Sequence, residues 1–161
     1  MNPARLRRRI RRGLALFVAA LVASGLTAFP LEMETRWLLE GVRGLGALAP
    51  AGLVAWIERV HLALAEVGQR HPFLAYGTDW LAFAHLVIAI AFWGPWKDPV
   101  RNVWVVEWAM LCCVAVIPLA LVCGQIRGIP MYWRLVDISF GVLGLVPLAV
   151  VRRDIGRLKT G

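Results

Sequence analysis

Of 161 residues, 60% are hydrophobic and only 17% charged, an apolar share above that of a soluble domain of this size. The charges fall in short blocks between long apolar runs, so the excess needs lipid to bury it and an ordinary soluble domain is excluded. The net charge of +8 does not point to nucleic acid, because half of the basic residues lie in two tails, Arg5, Arg7, Arg8, Arg9, Arg11, Arg12 and Arg152, Arg153, Arg157, which abut apolar segments. That is how cytoplasmic flanks of membrane helices are built, with anionic head groups adding about 1 kcal/mol of attraction per basic side chain.

After the basic tail at 1–13, an uncharged run at 14–30 is long enough to cross a thin bilayer. A secretory signal peptide shares this plan, with small residues at Ala23 and Ser24 for a peptidase. Small residues at steps of four, Ala15, Ala19, Ala23 and Ala20, Ser24, Ala28, favour instead a retained helix that packs closely.

The segment 31–76 mixes five glutamates and four arginines with apolar residues at helical spacing. Met33, Trp37, Leu38, Val42 and Leu45 form one stripe, and Leu53, Ile57, Val60 and Leu64 form another after a break at Ala49, Pro50 and Ala51. Neither stretch is apolar enough to span, so both are expected as amphipathic helices on the periplasmic surface.

Three further spans fill 77–151. The second starts after Gly77, Thr78 and Asp79, with Thr78 or Asp79 as a helix cap, and runs to Trp96. Lys97, Asp98, Pro99 and Arg101 make a tight turn, and the third span runs from Val103 to Gly124, with Pro118 as the expected kink. The fourth covers Trp133 to Val151 and is followed by a basic tail at 152–161. Cys112, Cys113 and Cys123 all lie in the third span without CxxC spacing, which gives neither a disulfide framework nor a zinc site. Adjacent positions on a helix point about 100° apart, so Cys112 and Cys113 are expected to face different surroundings.

The fold class expected is therefore an all-α integral membrane protein of about four transmembrane helices, with two amphipathic surface helices between the first and second. With the N-terminus inside, twelve of the 18 Lys and Arg residues fall on the cytoplasmic side, and an even number of spans returns the C-terminus there. Six of the eight tryptophans lie near span ends, as interfacial anchors do. The expected location is a bacterial inner membrane.

Ionisable groups within spans cost roughly 2.5 kcal/mol or more at mid-bilayer and mark candidate sites. Here they are His85, Glu107 and Asp137. His85 and Asp137 enter from the same side at comparable depth and are expected to meet, beneath a periplasmic mouth of Asp79, Gln125, Arg127, Tyr132 and Arg134. A structural ion pair outweighs a proton-handling or ligand site for this couple. Glu107 lies within reach of Arg101 or Lys97, again as a structural pair. Haem ligation would require a second axial ligand from His61 or His71 beside His85, so no cofactor is expected. Gly141 and Gly144 share a face suited to close helix contact.

No catalytic or metal motif appears. The leading functional expectation is a small non-enzymatic membrane subunit, whose partners are lipids and other integral membrane proteins, packing against or helping assemble a larger complex, for example an energy-transducing one. The alternatives are a small transporter or proton-handling protein centred on His85 and Asp137, and a haem or quinone redox protein.

Overall fold

The computed structural model describes residues 3–160 and is all-helical, with no strand among the described residues. Seven helices follow in order: α1 (Pro3–Thr27), α2 (Leu31–Gly44), α3 (Ala51–Arg70), α4 (Tyr76–Ala91), α5 (Trp93–Lys97), α6 (Val103–Ile126) and α7 (Met131–Thr160). Short 3-10 turns at Gly46–Leu48 and Pro72–Ala75 join α2 to α3 and α3 to α4. Four segments are long and apolar enough to cross a membrane: Pro3–Thr27, Pro72–Lys97, Val103–Ile126 and Met131–Thr160.

The chain divides into two compact units, one taking the residues up to Ala20 and from Ile88 onward, the other Leu21–Val87. The core of the first is built from Ile10 and Leu14 on α1, Phe92, then Val105, Val106, Ala109 and Cys113 on α6, and Leu148, Val151 and Ile155 on α7. Helix propensity explains why α1 begins within the arginine block, because arginine is a strong helix former and Leu6, Ile10 and Leu14 recur every fourth residue inside it. The basic tails are thus helical: α7 likewise continues past Val151 as far as Thr160.

Glycines set how closely these helices approach. A side chain at Gly141 would collide with the Cys113 carbonyl, and one at Gly144 would lie 3.2 Å from both Cys113 Sγ and the Phe17 ring. Within lipid, where apolar transfer gives no drive between helices, such close packing is the main attraction. Cys113 is buried there while Cys112 is exposed, so the two thiols do diverge. The α1 contact with α7 is made at Gly13, against Val151. Ala15, Ala19 and Ala23 are all exposed, so the alanine row expected to pack does not face this core.

The α6–α7 turn follows from its sequence. Gly128 adopts φ +68°, its N–H bonds to the Gln125 carbonyl at 3.2 Å, and the Ile129 N–H reaches the Gly124 carbonyl at 2.9 Å. This is a Schellman closure, and Pro130 then prevents the helix from continuing. Between α5 and α6, Asp98 Oδ1 accepts from the Arg101 N–H at 3.0 Å, and Asn102 Nδ2 donates to the carbonyls of Gly94 and Asp98 at 3.2 and 2.9 Å. Asp98 thus caps the turn from within.

In the second unit α2 and α3 form an antiparallel pair around Leu39, Val42 and Ile57, fastened by Arg43 to Glu58 at 2.7 Å. Of the apolar stripe read on α2, Val42 is buried, whereas Met33, Trp37, Leu38 and Leu45 are exposed. Gly25 near the end of α1 meets α4, where an added Cβ would lie 2.8 Å from the His85 Cβ and 3.1 Å from the Ala82 carbonyl. Thr78 does not cap α4. The helix already starts at Tyr76, and the Thr78 hydroxyl donates back to the Ala75 carbonyl at 2.7 Å.

Candidate functional site

A cavity of about 540 Å³ lies within the Leu21–Val87 unit. Phe29 and Pro30 close one end, where the Pro30 carbonyl accepts the Glu34 N–H at 2.9 Å and so starts α2. The first turns of α2 present Leu31, Glu32, Met33 and Arg36. His61, Leu64, Val67 and Gly68 come from α3 at steps of three and four, a single helix face. Leu74, Ala75 and Thr78 complete the wall.

Its polar groups are held in place by short local bonds. The Thr35 hydroxyl donates to the carbonyls of Leu31 and Glu32, both at 2.9 Å, so its oxygen is left to accept from His61 Nδ1 at 3.3 Å. With Nδ1 turned to Thr35, Nε2 is the ring nitrogen left for another partner. The Glu32 carboxylate rests over Gly68, where an added Cβ would stand 3.2 Å from Oε2. Glu32 and Arg36 are one helical turn apart, yet among the described residues no ion pair joins them.

The residues singled out in the sequence are distributed as follows. His85 is half-buried on α4 in the Leu21–Val87 unit, and its Nδ1 donates to the Leu81 carbonyl one turn earlier at 2.7 Å. Asp137 is half-buried on α7, in the other unit. Glu107 is paired, but with Arg152 of α7 and not with Lys97 or Arg101. Of the proposed mouth, Gln125, Arg127, Tyr132 and Arg134 gather around the α6–α7 turn, while Asp79 belongs to the other unit. Arg134 is buried, its stem packs over Gly124, and its Nη1 donates to the Leu121 carbonyl at 3.4 Å. A cation near the C-terminus of α6 is favourably placed against the helix dipole.

Sequence reading passed over Asp154. Its carboxylate is fully buried, at 0% exposure, with Arg9 Nε at 3.1 Å and Arg153 and Arg157 at 3.9 and 4.0 Å. Extending the α7 periodicity beyond Val151 would have found it, since Leu148, Val151 and Ile155 continue one face on which Asp154 sits. Together with Glu107–Arg152 and the Arg11 guanidinium 5.9 Å above the Trp96 ring, this pair gathers the N-terminal basic block, the α5 end and the C-terminal basic block at one end of their unit. The cavity was missed for another reason: its walls are brought together by the α2–α3 pairing, which no local pattern reveals. Compared with protein-family models, curated proteins and solved structures, the chain matches none.

Proposed function

We propose that this chain is a non-enzymatic, four-span subunit of a bacterial inner membrane, which docks through its apolar helices onto another integral membrane protein and carries α2 and α3 on the periplasmic surface. Both termini are cytoplasmic in this reading, which is supported by the Arg9–Asp154 ion pair that joins the two basic blocks at one end of their unit. The amphipathic character of α2 and α3 supports their interfacial placement, with Trp37 and Leu38 exposed on the same helix as Glu34, Glu40 and Arg43.

The docking reading rests on the second span. Only 6% of its apolar window is buried, against 17% to 22% in the other three. Trp80, Phe83, Val87 and Ile90 recur at steps of three and four and are all exposed. Tyr76, Trp80 and Phe83 stack edge-on at 6.0 and 5.9 Å, which makes a stiff aromatic ridge. Rigid aromatic rows are good anchors at protein interfaces, and close packing in lipid needs such preformed shape.

The test places a photo-crosslinking residue at Ile90, the most exposed member of this ridge, in intact membranes, and another at Leu143, an exposed position on α7. A discrete adduct with one integral membrane protein from Ile90, absent from Leu143, is the expected outcome. Lipid adducts alone from both positions would contradict docking through α4.

A further inference from the structure

We infer that the cavity between α2, α3 and the Pro72–Ala75 turn holds the zwitterionic head and upper acyl chain of a phospholipid, with an ammonium group on Glu32 and a phosphate on Arg36 and His61. This rests on the membrane reading above, since it needs α2 and α3 to lie at a lipid surface. A volume of about 540 Å³ falls within the usual range of small-molecule sites. The wall divides chemically: Glu32, Arg36 and His61 are its ionisable members, and Phe29, Met33, Leu64, Val67 and Leu74 are apolar.

Charge complementarity selects the head group. An acid placed four residues before a base on a helix is the orientation that favours an ion pair, yet among the described residues Glu32 and Arg36 make none. Both are exposed at the cavity wall, where each can meet a ligand group of opposite charge. A guanidinium takes a phosphate through two parallel N–H donors. His61, whose Nδ1 is turned to Thr35, offers Nε2, which binds a phosphate oxygen when protonated. Glu32 is the one group here that an anionic head would repel and an amine would satisfy. The site is thus matched to a phosphate ester carrying an amine, in preference to phosphoglycerol. The apolar remainder of the wall calls for an acyl chain, which a free head group lacks.

The test uses the full chain, purified in detergent and delipidated, incubated with phosphatidylethanolamine or phosphatidylglycerol of identical acyl chains, and read by native mass spectrometry. Wild type should retain phosphatidylethanolamine about tenfold over phosphatidylglycerol, the size expected of one charge-assisted contact. Glu32→Gln should erase that preference, Arg36→Gln should weaken retention of both lipids, and Gly68→Leu should abolish retention by filling the cavity. Arg59→Gln, outside the cavity, should behave as wild type. Circular dichroism and melting temperature confirm folding, and the exposed Glu32 and Arg36 variants keep the test valid should Gly68→Leu not fold. Equal retention of the two lipids, or wild-type retention by Arg36→Gln, would overturn the assignment. So would displacement of the lipid by soluble phosphoethanolamine at equal concentration, which would make the ligand a free metabolite. A reporter fusion after Gly161 reads the membrane reading separately, so a negative lipid result with a cytoplasmic fusion removes only this site.

Discussion

The two units solve the problem of holding helices together in different ways. In the unit that contains α6 and α7, glycines let backbones touch: Gly141 against the Cys113 carbonyl, Gly144 against Cys113 and Phe17, Gly13 against Val151. Asp154, the one fully buried charge among its described residues, has three arginines within about 4 Å. In the Leu21–Val87 unit Gly25 makes a similar approach to α4, but α2 and α3 are tied by partly exposed polar links, Arg43 with Glu58 and Thr35 with His61, and leave a cavity beside them. Tight packing leaves no room for a ligand, and loosely tied helices do. The proposed lipid site accordingly falls in the second unit.

The comparison breaks first at Gly141. Gly141→Leu forces a side chain into the Cys113 backbone, which cannot move without shifting α6, and overpacking of this kind costs about 3 kcal/mol. Thermal unfolding in detergent should show a loss comparable to that at Asp154 and well above those at Arg43 and Ala19. Next comes Asp154. Removing one partner of a buried ion pair costs roughly 3 kcal/mol, and Arg9 is partly exposed with two further arginines near the carboxylate, so Arg9→Gln should cost less than Asp154→Ala. The double variant should lose less than the sum of the two, which a double-mutant cycle measures. Additive losses would remove the pair from the account.

In the looser unit the effects shrink. Arg43→Ala breaks an ion pair whose partners are both about half exposed, and should cost about 0.5 kcal/mol, read in the same melting experiment. Smallest of all is Ala19→Leu: the position is exposed, so the change should stay within about 0.5 kcal/mol of wild type. A loss at Ala19 comparable to that at Gly141 would show that the alanine face is itself a tight contact with another protein.

The sequence carried the helical class and the four long apolar segments because hydropathy over some twenty residues is a strong local signal. The turn at Lys97, Asp98, Pro99 and Arg101 was legible too, as it is specified by its own residues. What hydropathy hides is where a helix goes once it leaves the apolar run. Pro3 to Gly13 and Arg152 to Thr160 are polar on most faces, yet Leu6, Ile10 and Ile155 keep them packed, and Asp154 was passed over with them. Small residues at regular spacing also mislead, because Ala15, Ala19, Ala23 and Gly13 look alike in sequence and only the last meets a neighbour within the core. Glu107 shows a further limit: its nearest bases in sequence, Lys97 and Arg101, lose to Arg152, forty-five residues away, because α6 and α7 run side by side. The cavity depends wholly on such distant pairing.

The proposed function requires the four apolar helices to cross a membrane, with α2 and α3 on the side opposite to both basic blocks. The direct measurement is a pair of topology reporters in cells, one fused after Gly161 and one inserted at Ala49, between α2 and α3. The account predicts cytoplasmic activity for the Gly161 fusion and periplasmic activity for the Ala49 insertion. Activity of both reporters on the same side of the membrane would contradict it.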